Sequence, residues 1–102
     1  MNSIEQLSEV SLVMGSKKRA VLLFILRDTP MSYTQMNRKF RALGMKIGSS
    51  EIYKHLDVLR KNRYIVKNDK VFLITLKGKT LIESLEKLAG IPDRAPRLEI
   101  IF

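Results

Sequence analysis

The spacing of apolar residues along the chain predicts five helices and one pair of short strands. In the first segment, residues 2–14, Ser3 and Gln6 form a capping box ahead of an apolar stripe. A second helix runs from a Ser16 cap to about Arg27 and is apolar on every side. Its composition also fits a buried strand, but its length and cap favour a helix, which we expect at the centre of the fold.

Two further helices follow the break at Pro30 and are joined by a short link bounded by glycines. The third helix begins with a capping box of Ser32 and Gln35, and Gly44 closes it. Its predicted apolar stripe consists of Tyr33, Met36, Phe40 and Leu43. Because the cap, the stripe and the closing glycine agree, this segment is a strong helical signal.

The fourth predicted helix has one apolar side and one polar side. It begins at Gly48 or Ser49 and ends near Asn62. Its inward stripe consists of Ile52, Leu56 and Leu59. The opposite face carries Ser50, Tyr53, Lys54, Asp57 and Lys61. This division predicts a helix that is anchored on one side and free to meet a partner on the other.

Residues 64–67 and 71–74 are rich in strand-forming side chains and flank the turn sequence at residues 68–70. They predict a tight hairpin, which must pack on helices to be stable. Thr75 is expected to cap a last helix over residues 76–89, which a glycine and a proline then end. The inward positions of this helix are Leu81, Ile82, Leu85 and Leu88.

Residues 1–90 are predicted to form one domain. The third and fourth helices, with the short turn between them, have the helix-turn-helix arrangement, and a hairpin directly after that pair is a wing. The expected fold class is mainly α (α+β): a winged helix-turn-helix with a two-stranded β-hairpin wing and a C-terminal helix. The apolar tail, residues 91–102, is expected to be a packing or dimerisation arm.

The chain carries a net charge of +9, and the excess is localised. Residues 16–70 hold fourteen basic and four acidic side chains, whereas the rest of the chain is nearly balanced. A localised basic field favours a polyanionic partner, nucleic acid first and an anionic membrane second. A merely solubilising surface is the alternative, although a balanced mixture of signs serves solubility equally well.

Several function classes lack their sequence signatures. The chain has no cysteine, which excludes disulfide scaffolds, thiolate zinc sites and cysteine nucleophiles. Its longest apolar run, residues 20–26, is too short to cross a bilayer, and no secretory signal is visible, so a cytoplasmic protein is expected. We see no Gly-rich phosphate loop, metal cluster or nucleophile–base pair, so we expect no enzyme, no metal and no cofactor. The single histidine, His55, is open to pH sensing or metal binding, but a hydrogen-bonded packing role is favoured.

Three motifs occur in a characteristic order. Residues 13–19, Val-Met-Gly-Ser-Lys-Lys-Arg, precede a Leu-Leu pair; residues 47–59 contain a His-Leu pair followed by Val-Leu; residues 73–78 read Leu-Ile-Thr-Leu-Lys-Gly. Together they resemble the opening, the recognition helix and the wing-to-helix step of arsenical-repressor-like (ArsR-like) winged-helix proteins, and archaeal members look closest. The chain departs from that family by lacking its metal-sensing cysteines and by a link about two residues longer between the paired helices.

The resemblance implies a homodimer held by the first and last helices, and base contacts from the start of the recognition helix. Two serines near a helix N-terminus also suit phosphate, because the free N–H groups there attract anions. Lysines at the hairpin tip are expected to reach the DNA backbone or the minor groove. The candidate DNA-binding residues are Gln35, Lys46, Ser49, Ser50, Tyr53, Lys54, Asp57, Lys61, Lys67 and Lys70.

The main hypothesis is therefore a sequence-specific double-stranded DNA-binding regulator of transcription, and the alternative is an architectural protein that coats DNA with little specificity. RNA binding is disfavoured, because Phe72 is the one good stacking candidate on the strands. Asp57 is a base reader or, more simply, an ion-pair partner of Lys54 or Lys61. The basic run at residues 17–19 is a phosphate-binding cluster or a solvated helix start.

Overall fold

The computed structural model describes residues 8, 10–13 and 15–88. Their elements follow the order α1 (Lys17–Asp28), β1 (Met31–Ser32), α2 (Tyr33–Ala42), α3 (Ser49–Lys61), β2 (Ile65–Asn68), β3 (Val71–Ile74) and α4 (Leu76–Leu88). Residues 10–13 are helical too, as the first predicted helix requires. The rest of that helix, the predicted stop at Gly90 and the tail at residues 91–102 lie outside the described residues.

Helix α1 lies at the centre of the domain, as its apolar composition predicts. It packs against α2, α3, α4 and β3. Its buried side chains are Leu22, Leu23, Ile25 and Leu26. Ser16 caps the helix, since its Oγ accepts a hydrogen bond from the Arg19 N–H at 3.3 Å. None of the described helices is both long enough and apolar enough to cross a lipid bilayer.

The sheet has three antiparallel strands in the order β1-β3-β2, so the expected two-stranded wing gains a short third strand. Met31 pairs with Phe72, and Ser32 pairs with Val71. Two residues after a proline, the second of which is also the helix cap, are too few to show the alternation that predicts a strand. The consequence is that the start of α2 is tied by backbone pairing to the wing.

Strand β2 begins at Ile65, one residue later than expected, because Tyr64 serves as a buried corner. Its N–H donates to the Leu59 carbonyl at 2.9 Å, and its own carbonyl accepts from the Thr75 N–H at 3.0 Å. The preceding Arg63 has a φ of 63°, in the left-handed region. Tyr64 thus fixes the exit of α3 and the entry to α4 at one point.

The helix pair α2 and α3 keeps its predicted caps. Ser32 Oγ accepts from the Gln35 N–H at 3.3 Å, and Gln35 Oε1 accepts from the Ser32 N–H at 2.9 Å, which is the predicted capping box. Gly44 closes the turn with a φ of +73°. The apolar stripe is wrong at its last position: Leu43 is 52% exposed, because α2 ends at Ala42 and the chain turns away there.

Helix α4 starts from its predicted cap, with the Gly78 N–H donating to Thr75 Oγ at 3.1 Å. A Cβ on Gly78 would lie 2.4 Å from the Tyr64 carbonyl oxygen and 2.6 Å from Ile74 Cγ1. We therefore expect Gly78→Ala to lower the free energy of unfolding by about 1–2 kcal/mol, since overpacking outweighs the gain in helix propensity. Urea unfolding measures this, with the exposed neighbour Lys79→Ala as a control expected to change little. A stabilised Gly78→Ala protein would contradict the close approach.

Candidate nucleic-acid interface

Helix α3 is anchored by an apolar stripe and leaves its other side open. Ile52, Leu56 and Leu59 are almost completely buried. Gly48 precedes the helix, and its N–H donates to Glu51 Oε1 at 3.3 Å. The candidate residues on this helix are all exposed: Ser49, Ser50, Tyr53, Lys54, Asp57 and Lys61. The predicted division of the helix into a buried side and an exposed polar side is therefore confirmed.

Asp57 and Lys61 form an ion pair on the exposed side of α3. The Lys61 Nζ lies 3.0 Å from Asp57 Oδ2, one helical turn apart. Both side chains are more than half exposed, so the ion pair contributes little to stability. Either side chain can therefore leave the pair for another partner at low cost in free energy. This is the ion-pair alternative for Asp57; whether its carboxylate also reads a base stays a prediction.

A cleft of about 270 Å³ separates α3 from the wing. Tyr53 lines it from α3, and Lys67 and Lys70 line it from the hairpin. The Lys67 Nζ lies 5.5 Å from the centroid of the Phe72 ring, in cation–π range. The structure thus brings three of the predicted residues, on two separate elements, to the walls of one groove.

Tyr53 does not stand alone in this cleft. Its ring stacks on the ring of Tyr33, the first residue of α2, with centroids 4.8 Å apart and planes within 2° of parallel. Sequence reasoning missed Tyr33 because helical spacing assigns it to the core stripe of α2. Phe72 lines the same cleft, so three aromatic side chains border it. No local signal identifies Tyr33, because its role depends on stacking against Tyr53 on another helix.

No protein-family model matches this chain, and no curated protein matches it. Among solved structures, the reduced form of the transcriptional regulator YodB from B. subtilis aligns with a TM-score of 0.74 at 16% identity, covering 88% of this chain and 90% of that chain. Quinone-bound YodB gives 0.73 at 14% identity, with 84% and 93% covered. An ArsR family transcriptional regulator gives 0.58 at 18% identity, with 87% and 91% covered.

The fold is a winged helix. The sequence predicted this fold, and the similarity to solved structures of transcriptional regulators confirms it at the level of architecture. In this winged helix α3 is the second helix of the helix-turn-helix pair, the one predicted to be the recognition helix, and β2 and β3 form the wing. Helix α2 is the first member of the helix-turn-helix pair.

Gln35 and Lys46 lie apart from the cleft beside the wing. Gln35 is exposed, but its side-chain oxygen is engaged in the capping box of α2. Lys46, in the link before the recognition helix, lines a separate open depression of about 380 Å³ together with Arg41. Neither residue therefore lines the cleft that contains Tyr53.

The basic run at the start of α1 is largely engaged within the protein. Lys18 Nζ lies 2.9 and 3.1 Å from the two oxygens of Glu51, on the first turn of the recognition helix. Arg19 donates to the carbonyl of Leu12. The hydrogen bond from Lys18, and after it the one from the Gly48 N–H, holds the pKa of Glu51 below its ordinary value. Lys18 and Arg19 therefore join elements together, and Lys17 is the exposed cation of the run.

His55, on α3, contacts the N-terminal cap of α1. Its Nε2 lies 3.5 Å from Ser16 Oγ, and its Nδ1 is buried with no hydrogen-bond partner among the described residues. Burial, and after it the charge of Arg19, lowers the pKa of His55 below 6.5. The described residues contain no group of three His, Asp or Glu side chains that could hold a metal ion.

This environment predicts a pH dependence of stability. Because the folded state disfavours the protonated ring, the unfolded state binds more protons as the pH falls below about 6.5, and stability decreases there. We expect the thermal midpoint to fall between pH 7.5 and about pH 5.5 in the wild type and to change much less in His55→Gln, whose amide can keep the contact with Ser16. Glu51, with its lowered pKa, acts below this window. Equal slopes for the two proteins would contradict the assignment.

Proposed function

We propose that this chain is a sequence-specific double-stranded DNA-binding regulator of transcription, which places α3 in the major groove and the wing on the DNA backbone. One observation carries the proposal: Tyr53 of α3 and the hairpin lysines Lys67 and Lys70 line one cleft. A helix that follows a helix-turn and is flanked by a basic hairpin is suited to grip one duplex at two places. The structural neighbours described as transcriptional regulators support the same reading.

The exposed side chains divide into two roles. Ser49 and Ser50 stand at the N-terminus of α3, where free N–H groups favour phosphate. Tyr53, Lys54 and Asp57 follow on the second and third turns, in the N-terminal part of the helix, the part of a recognition helix that meets base edges. Backbone contacts are proposed for the remaining candidates, which are Lys67 and Lys70 at the cleft, Lys61 at the end of α3, and Gln35 and Lys46 outside the cleft lining.

The proposed assembly is a homodimer with two recognition helices in successive major grooves. Its expected target is a roughly palindromic site with half-sites about one helical turn apart. Sedimentation velocity with and without DNA tests the assembly, and a strictly monomeric complex at each half-site would contradict it.

The deciding experiment is selection of duplexes from a random pool, followed by anisotropy titration of the enriched duplex and a scrambled duplex. A regulator is expected to prefer its own site by roughly a thousandfold. With about four phosphate contacts per protomer, affinity per half-site should fall about a hundredfold between 50 and 200 mM salt. Failure to bind any duplex at low salt would reject the proposal.

An architectural DNA-coating function is the second candidate. The observation that favours it is the wide spread of exposed cations, since Arg38, Lys39 and Arg41 lie on α2 away from the cleft residues. Charge spread over several elements holds DNA without reading it. The same selection separates the two functions, because a coating protein enriches no motif.

A further inference from the structure

We propose that the stacked pair of Tyr33 and Tyr53 reads the methyl group of a thymine in the major groove, with Tyr33 as the residue that positions Tyr53. This inference rests on the proposed DNA-binding function and adds to it a base preference and a residue outside the recognition helix.

Tyr53 is exposed on α3. Its side chain is 54% exposed, although it lies on a helix with a well-buried apolar stripe. Stacking on Tyr33 occupies one ring face, because the planes are nearly parallel at 4.8 Å. The rest of the ring is presented from the second turn of α3, where a recognition helix meets base edges.

The major groove offers few apolar groups to an aromatic ring. Base pairs present hydrogen-bond donors and acceptors there, and the one apolar group among them is the thymine methyl. An aromatic ring offers chiefly apolar surface, so its best complement in the groove is that methyl. Lys54, the next residue, is suited to the acceptors of a guanine or to a phosphate.

Tyr33 is held in place by its neighbours. Tyr33 is half-buried and follows directly on Ser32, which is both a strand residue paired with Val71 and the cap of α2. The ring of Tyr33 is therefore fixed by the wing and by α2 at once. Stacking on it restricts Tyr53 before DNA arrives, which reduces the side-chain entropy lost on binding.

Replacement of thymine by deoxyuridine tests the base preference, because it removes the methyl and keeps the hydrogen-bonding edge. In the duplex enriched by the wild type, we expect one thymine per half-site whose replacement weakens binding about fourfold, the value of one buried methyl. Tyr53→Ala should bind the thymine and deoxyuridine duplexes equally. An enriched motif with no uracil-sensitive position would overturn the inference alone, whereas no enriched motif would overturn the regulator proposal and the inference with it.

Variants of Tyr33 test its positioning role. Tyr33→Phe keeps the stack and should keep the fourfold thymine preference, whereas Tyr33→Leu should lose it while retaining apolar bulk for folding. The salt slope of binding should stay unchanged in both, since no phosphate contact is removed. Thr34→Ala, which changes a neighbour in the same cleft, is the matched control. Circular dichroism confirms that each variant is folded, and a folded Tyr33→Leu protein with the wild-type thymine preference would overturn the role of Tyr33.

Discussion

Arg27→Met is expected to lower the free energy of unfolding by about 3–5 kcal/mol. Arg27 Nη1 donates to Glu86 Oε2 at 2.6 Å and joins α1 to α4, with the two side chains only 17% and 9% exposed. The guanidinium also lies 5.3 Å from the centroid of the Phe24 ring. Removal of the cation leaves a carboxylate in a poorly solvated place, which costs more than the pair itself contributes. Against a typical total of about 5–15 kcal/mol, this change brings the domain close to unfolding.

Urea unfolding of a small variant set measures this effect and identifies its cause. The double variant Arg27→Met with Glu86→Leu should recover most of the loss, because both charges are then replaced by apolar side chains. Lys61→Met breaks the exposed pair with Asp57 and should cost less than about 1 kcal/mol. If Arg27→Met were no more damaging than Lys61→Met, the Arg27–Glu86 contact would have to be largely solvated.

The parts of the fold that the sequence predicts well are those with several local signals at one place. The third predicted helix has a capping box at Ser32, a stripe that includes Phe40 and a glycine at its end, and all three are found. The fourth predicted helix also follows from local signals, and its Ile52 and Leu56 are buried on one side as expected. Caps and periodicity are local properties, so a single sequence carries them in full.

The features that the sequence did not predict depend on contacts between distant segments. Strand β1 exists because Met31 meets Phe72, forty-one positions later, and two residues show no periodicity of their own. Leu43 fits the apolar stripe of α2 by spacing, but the helix ends one residue before it. A pattern predicts which side of a helix is buried more reliably than it predicts the last turn.

The residues of the candidate site likewise differ in whether local signals or distant contacts determine their roles. Tyr53 and Lys54 could be predicted because they lie opposite a buried stripe on one helix. Tyr33 could not, since its role depends on stacking against a ring twenty positions away. Similarly, Lys18 of the basic run at residues 17–19 is paired with Glu51, a contact that neither reading of the run included and that no local pattern contains.

Lys54→Glu is expected to weaken binding of the enriched duplex about a hundredfold. A contact of Lys54 with a base edge or a phosphate accounts for about 1–3 kcal/mol, and the new carboxylate adds repulsion from the backbone. Lys54 is exposed beside Tyr53 on the recognition helix, so the change should leave folding intact. Anisotropy titration at two salt concentrations measures the loss and the change in salt slope.

Lys39→Glu is the matched control for this change, because it alters the net charge equally from an exposed position on the last turn of α2, which does not line the cleft. Because this change acts only through the general electrostatic field of the protein, it should weaken DNA binding only a few-fold at moderate salt. A large difference between the two variants therefore measures what α3 contributes by its position rather than by its charge. Equal losses would mean that the whole basic surface attracts DNA without a preferred face, which is the behaviour of a coating protein and not of a regulator that reads its site through α3.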